Sequence, residues 1–375
     1  MSRHPGRPVL ASLAGAAERF PAVHATLAAG STPLHLNESP YPPSPSVLAA
    51  LQQVFADLNR YPAPQPAALV AALSRLNGVS TDTVLIGPGS DDLLLTLALT
   101  FLEPGDVALM PAPSFGKYHS ATVVAGGTAI GVPLDARGAV DLRALAARIG
   151  PATRLVFVPT PNNPTGAGVA GDEIARFIAA LPDHVVAVFD LAYHEFALRS
   201  GGVDVPRLLA GSGQRWICLR TMSKAYCLAG LRLGYAICAD SELQSMVLKI
   251  RSVFNVGSPA IAAALAALDD PAHMRGVVEA VVAERERLRE AFARAGFAAL
   301  PSQTNFLAVR AGACRDALVA ALRERGILIA KIAHPDYEDY VRVTVGTPDQ
   351  NHTLLAAWHA CMHDMQAAGA SRTLD

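Results

Sequence analysis

The residues best suited to chemistry cluster in Arg220-Thr-Met-Ser-Lys-Ala-Tyr-Cys-Leu-Ala-Gly-Leu-Arg-Leu-Gly-Tyr235, between two apolar runs. The segment places one lysine, Lys224, among the hydroxyls Thr221 and Ser223 and the guanidinium Arg232. A lysine that bonds an aldehyde cofactor needs neighbours able to hold a phosphate dianion, and hydroxyls with a guanidinium suit that task. A surface loop carrying a solvated lysine fits the same string equally well. In Phe189-Asp-Leu-Ala-Tyr-His-Glu-Phe196, Asp190 ends an apolar run. Ligand groups in open parallel sheets gather at such strand ends. A carboxylate there could keep a ring nitrogen protonated, so that the ring takes up electrons, with Tyr193 bonding a ring oxygen. The plainer reading is an aspartate capping a turn beside a half-buried tyrosine.

Two further strings follow apolar runs. Pro159-Thr-Pro-Asn-Asn-Pro-Thr-Gly166 is extended, then turning, and presents the Asn163 amide; turn chemistry alone also explains it. Ile86-Gly-Pro-Gly-Ser-Asp-Asp-Leu93 leads from a strand into a helix. Small residues there leave backbone N–H groups open to a phosphate, and Ser90 adds a hydroxyl. It has neither the Gly-Lys-Ser/Thr of a nucleotide loop nor the three-glycine dinucleotide fingerprint. A simple helix cap is the bland alternative.

These residues need a scaffold, and the sequence shows its rhythm. Short apolar runs at 84–86, 107–110, 154–159, 185–189, 216–219 and 233–238 read as strands. Helical patterns at 91–102, 142–149 and 171–180 lie between several of them. Continuous apolar strands alternating with helices predict an α/β fold, a mostly parallel sheet covered on both faces. Residues 1–30 are Ala-rich with a short helical pattern. Prolines at 33, 40, 42, 43 and 45 predict an extended arm, followed by a helix over 46–58 and a second proline-rich break at 61–66. After Pro259 the texture changes to helices at 261–268 and 274–295, strands at 305–310 and 341–345, and a helix at 315–325, which together predict a smaller α+β unit. The expected division is an arm over 1–45, a large domain over 46–258 and a small one over 259–375.

Composition narrows the partners. Lys plus Arg is 31 against 32 for Asp plus Glu, a net charge of −1, which gives no reason to expect nucleic acid. No run reaches the roughly 18 apolar residues of a membrane span, and Glu18, Arg19 and Pro21 break the N-terminal apolar stretch too early for a signal peptide. Five cysteines without paired spacing fit reduced thiols and a cytoplasmic location. Eleven histidines lack ligand spacing, so no metal is expected; His194 alone sits beside a candidate residue. Charged residues are only 17 %, which suggests that some surface is hidden in an oligomer.

Taken in order, these strings resemble the fold-type-I, class I/II aminotransferases, which use pyridoxal 5'-phosphate, and among them the histidinol-phosphate aminotransferase group. The resemblance runs from about Leu36 to Thr347, through Leu36-Asn-Glu-Ser-Pro-Tyr41, Arg60-Tyr-Pro62, Gly87-Pro-Gly-Ser-Asp91, Pro161-Asn-Asn-Pro-Thr-Gly166, Thr221-Met-Ser-Lys224, Ala229-Gly-Leu-Arg232, Phe254-Asn-Val256 and Val341-Arg-Val-Thr-Val-Gly-Thr347. It implies that Lys224 bonds the cofactor and later moves the substrate's proton. Asp190 would pair with the ring nitrogen, with Asn163 and Tyr193 on the phenolic oxygen. Ser90, Asp91, Thr221, Ser223 and Arg232 would hold the phosphate, Arg342 would take the substrate carboxylate, and Tyr41, Asn163 and Phe254 would line the substrate. Tyr61 would reach across a homodimer to the neighbour's cofactor phosphate. A 2-oxo acid such as 2-oxoglutarate would accept the amine.

Two departures qualify the likeness. Phe115 stands where these enzymes usually stack a tyrosine on the ring. Ala330, in Gly326-Ile-Leu-Ile-Ala-Lys331, stands where the histidinol-phosphate enzymes commonly place an arginine for the substrate phosphate. Lys331 would point away if the segment is a strand. The string-level likeness makes histidinol phosphate the leading donor, and Ala330 counts against it, with aromatic or other amino acids as the alternative. A decarboxylase or oxidase on the same scaffold would share most of these residues. A non-catalytic regulator would need a DNA-binding domain, for which the neutral N-terminal stretch is too short.

Overall fold

The computed structural model describes residue 13 and residues 30–371, with side chains as far as 365. The expected helical pattern in residues 1–30 thus falls almost wholly outside the described residues. Twelve strands are described: β1 (Thr32–Pro33), β2 (Val84–Gly87), β3 (Val107–Ala112), β4 (Thr128–Pro133), β5 (Thr153–Pro159), β6 (Val186–Asp190), β7 (Trp216–Thr221), β8 (Gly234–Cys238), β9 (Phe306–Arg310), β10 (Ile327–Leu328), β11 (Ala330–Lys331) and β12 (Tyr340–Thr344).

Seven of them form the main sheet, in the order β2-β8-β7-β6-β5-β3-β4. All run parallel except β8, which is antiparallel to both its neighbours. Alternate residues of the central strands feed opposite faces, which is why these strands read as unbroken apolar runs. Val156, Val158, Ala187, Phe189 and Cys218 join one buried cluster, and Leu155, Phe157, Val186, Val188 and Ile217 the other. The second face is covered by the helices Ser90–Phe101, Lys117–Ala125 and Ser241–Ile250. The helices Ala67–Asn77, Gly171–Ala179 and Ser258–Asp269 cover the first.

A three-stranded antiparallel sheet, β11-β12-β9, carries a third cluster with Phe292, Leu318, Leu322, Leu354 and Trp358. The 24-residue helix Pro271–Arg294 joins the units: Val277, Val278 and Val281 enter the main cluster, while Leu288 and Phe292 enter the third. The charged residues at 284–290 read from sequence as a solvated helix face, but the stretch is not solvated throughout. Arg285 is buried and donates to the Thr304 carbonyl at 2.9 Å and to Ser200 Oγ at 3.0 Å. The extended arm follows β1, which pairs in parallel with β10. Ser44 caps the helix Pro45–Val54, with Pro45 in its first turn, so this helix starts one residue before the expected 46.

Candidate active site

Adjacent parallel strands deliver the two central residues. Asp190 is the last residue of β6 and Lys224 follows the end of β7 by three residues. Both therefore arrive at the carboxyl edge of the sheet, where the loops of an open α/β sheet gather ligands. Asp190 is 7 % exposed, and burial raises its carboxyl to about 6 although hydrogen bonds oppose the shift. Tyr118 Oη donates to Asp190 Oδ2 at 2.7 Å, and the Ala192 N–H donates to Oδ1 at 3.1 Å. Lys224 is shifted the other way. Burial, then the nearby Arg342 charge, lowers its amine to about 8. Its Nζ donates to the carbonyls of Asn37 at 2.7 Å and Leu36 at 3.3 Å.

The arm thus crosses the site as a strap, and Asn37 fastens it. This residue is 2 % exposed and holds a left-handed φ of 55°. Its Nδ2 donates to Tyr193 Oη at 3.0 Å, its N–H to Thr344 Oγ1 at 3.0 Å, and its carbonyl accepts from Asn305 Nδ2 at 3.0 Å. Such a conformation persists in a non-glycine residue only when the surroundings over-determine it. Burial pushes the Tyr193 hydroxyl up to about 12.

A second group of residues forms an anion cradle. The helix Ser90–Phe101 starts at Gly89 with no side-chain cap, so its first N–H groups are open to an anion. Gly89 has φ 87°, and a Cβ there would lie 2.7 Å from Arg232 Nη2. A Cβ on Gly234 would lie 2.6 Å from the Ser90 nitrogen. Both glycines are needed for this close approach of guanidinium, strand and helix end. Arg232, itself left-handed at φ 52°, donates to Ser223 Oγ at 3.5 Å and to the Ala229 carbonyl at 3.0 Å. Thr221 Oγ1 accepts the Ser223 N–H at 3.1 Å. Ser90, Asp91, Thr221, Ser223 and Arg232 are thereby brought to one place, a donor set that fits a phosphate.

Arg342, on β12, closes the opposite side. Its Nη1 donates to Asn163 Oδ1 and its Nη2 to the His35 carbonyl, both at 2.6 Å. Its Nε is buried without a partner, and its Cζ lies 5.6 Å from the centre of the Phe306 ring. Among the described residues it forms no ion pair, and burial lowers its pKa. A covered guanidinium without a carboxylate is ready for an anion from outside. Asn163, expected at a ring oxygen, is bound here to Arg342. Phe115 meets Tyr118 edge-on at 5.8 Å, and Tyr118 stacks on Phe157 at 5.0 Å.

Tyr61 is 83 % exposed and stacks on Phe254 at 4.9 Å. Phe254 has φ 57°. Tyr41 packs at the edge of the main cluster. Ala330 pairs with Arg342 across β11 and β12, whereas Lys331 binds Asp316 at 3.1 Å and so faces elsewhere, as its place on a strand requires. His194 is buried and burial drops it to about 2, so it stays neutral. Its neighbour Glu195 binds Arg220 at 2.7 Å inside the core. The sequence pattern puts Tyr118 on a helix near the cofactor wall and does not single out Asn37 or Asn305. Their contacts join residues 72 to 307 positions apart, which no local pattern reveals.

A mostly parallel sheet with Asp190 and Lys224 at its carboxyl edge, an anion cradle and a buried arginine defines a class of group-transfer enzymes. The chain belongs to the class I and II aminotransferases, whose family model matches residues 30–357. It is similar to an aromatic amino acid aminotransferase of Rhodococcus opacus, 40 % identical over 329 residues that cover 87 % of this chain and 89 % of the relative. It is 34 % identical over 340 residues to histidinol-phosphate aminotransferase 3 of Rhizobium meliloti, covering 90 % of each. The crystal structure of histidinol-phosphate aminotransferase from Sinorhizobium meliloti in complex with pyridoxal-5'-phosphate superposes with a TM-score of 0.88, 29 % identity, and coverage of 97 % of this chain and 99 % of that one.

Proposed function

We propose that this aminotransferase holds pyridoxal 5'-phosphate between Lys224, Asp190 and the Ser90–Arg232 cradle. In our reading it moves an amino group from histidinol phosphate to a 2-oxo acid such as 2-oxoglutarate. The observation that carries the cofactor reading is the pairing of Asp190 and Lys224 at neighbouring strand ends, each with burial shifting it toward neutrality. When bound, the cofactor supplies an aldehyde for amines and a ring that takes up electrons. Lys224, lowered to about 8, has a useful neutral fraction near neutral pH and can take a proton from the substrate carbon and return it. Asp190 would hold a proton at the ring nitrogen. Tyr193 would donate to the cofactor's phenolic oxygen, Phe115 would lie against its ring, and Arg342 with Asn163 would bind the carboxylate of the 2-oxo acid. Tyr41 and Phe254 border the substrate.

The arginine at 342 and the likeness to histidinol-phosphate enzymes support a phosphate-bearing donor. Ala330 favours a second reading, an aromatic amino-acid donor, because it leaves Arg342 without a second cation on its face. Tyr61 and the exposed Leu48, Phe55, Leu58 and Val253 support a homodimer in which Tyr61 serves the partner's cradle. The clusters support a cofactor-holding domain that begins near residue 46 and runs past the expected 258, because the helix Ser258–Asp269 joins its core, with the helix Pro271–Arg294 leading into the smaller domain. All five cysteines are free, which supports a cytoplasmic location.

Borohydride reduction tests the cofactor reading. Wild-type protein should trap pyridoxal phosphate on Lys224, and Lys224→Ala should trap none and lose multiple turnover. A Lys224→Ala protein that turns over normally sinks the assignment.

A further inference from the structure

Asp190 would be a poor partner for a ring nitrogen if burial acted alone. A desolvated carboxylate becomes a stronger base, and a stronger base takes the shared proton for itself, leaving the ring neutral. Two donors oppose this: the Ala192 N–H at Oδ1 and the Tyr118 hydroxyl at Oδ2. The backbone donor comes with the turn. The hydroxyl comes from a different element, 72 residues away, and is held with little freedom. Tyr118 is 1 % exposed, lies nearly parallel to Phe157 at 13° and meets Phe115 edge-on at 84°. Its own ionisation is blocked, because burial and the adjacent carboxylate push its pKa well up, so it remains a donor.

We propose that Tyr118 is a positioning residue for Asp190, whose hydrogen bond fixes the carboxylate and weakens it as a base so that the proton stays on the ring nitrogen. This rests on the pairing of Asp190 with the cofactor ring proposed above. Asp91 and Lys224 also act on Asp190 through their charges, in opposite directions, while Tyr118 touches it directly. A hydrogen bond to a charged acceptor corresponds to roughly a 10- to 150-fold change in the proton's partition.

The experiment uses holoenzyme reconstituted with pyridoxal phosphate carrying ¹⁵N in the ring. Tyr118→Phe keeps the stacked ring and removes only the hydroxyl. Its melting temperature should stay close to that of the wild type. The ring ¹⁵N resonance should move toward the unprotonated pyridine position. The single-turnover half-reaction should slow by up to roughly 10- to 150-fold, with the donor's KM changed much less than kcat. Should Tyr118→Phe fail to fold, 4-aminophenylalanine at position 118 offers the same ring with a weaker donor and should move the resonance less, in the same direction. An unmoved resonance in the folded variant overturns the proposal. Asp190→Asn separates the two readings. If it moves the resonance and Tyr118→Phe does not, the role of Tyr118 alone falls. If Asp190→Asn leaves the resonance in place, the pairing itself is wrong, and the inference falls with it.

Discussion

Replacing Ala330 by arginine probes what the second cation of a phosphate pocket is worth. Ala330 and Arg342 are direct partners across the antiparallel pair β11–β12. Directly opposed residues project from the same face with Cβ atoms about 4.5–5.5 Å apart. An arginine at 330 would therefore lie beside Arg342, and the two could converge on one phosphate. Each charge-assisted hydrogen bond is worth about 1.5–3 kcal/mol, so kcat/KM for histidinol phosphate should rise roughly 10- to 150-fold. Without a ligand the two guanidiniums repel across the strand pair, so the free variant should melt lower. Inorganic phosphate should recover that loss and stabilise the variant more than the wild type. Steady-state kinetics with histidinol phosphate and phenylalanine, alongside melting curves, measure both effects. An equal gain with phenylalanine, or no gain in a folded variant, refutes the placement of the donor phosphate beside Arg342. Lys331→Ala is the control. Its amine is committed to Asp316, so donor preference should not change.

Three further expectations follow from the site. Asp190 is raised from 3.8 to about 6 in the fold, so its contribution is unperturbed below pH 4 and becomes a penalty as pH rises through that window. Asp190→Asn should then stabilise cofactor-free protein at pH 8 by up to about 3 kcal/mol and by little near pH 4, as read by urea denaturation. Arg342→Gln should lower kcat/KM for the 2-oxo acid roughly 10- to 150-fold, and an unchanged value would remove Arg342 from the acceptor site. Tyr61→Ala should weaken pyridoxal phosphate binding while sedimentation still reports a dimer; a wild-type monomer that turns over would remove the trans role.

What the sequence disclosed depends on how far apart the interacting residues lie. Asp190, Lys224 and the glycines of the cradle stand in short strings whose residue types suit local geometry, and the buried strands around them read as apolar runs. β4 gave no such run. It is an edge strand, half of it exposed and containing Gly131 and Pro133, so its apolar face shrinks to Ile130 and Val132, too short to read as a run. The helices Ala67–Asn77 and Pro348–Ser371 were likewise not marked out in advance. The alanine-rich helix Ser258–Asp269 packs Ala260, Ala263, Ala264 and Ala267 into the main cluster, though the change of texture before it suggested that the smaller unit begins there. Small residues allow a close approach without advertising which sheet they serve. Asn37 and Tyr118 were the least legible, because their partners are supplied by tertiary structure alone.

The strap explains why these distant contacts belong to one device. Three main-chain carbonyls of the arm, at His35, Leu36 and Asn37, accept from two cations, Arg342 and Lys224. Neither cation forms an ion pair among the described residues. Carbonyls satisfy N–H groups without cancelling charge, so both side chains keep a fixed direction and an unspent field. A carboxylate in the same place would hold them as firmly, but it would also raise the Lys224 pKa and compete with the substrate for Arg342. Binding the cations through backbone oxygen therefore leaves Lys224 near neutrality and Arg342 open to an anion. It requires the chain to cross the site in one conformation, and the left-handed Asn37, tied to Tyr193, Thr344 and Asn305, enforces that conformation.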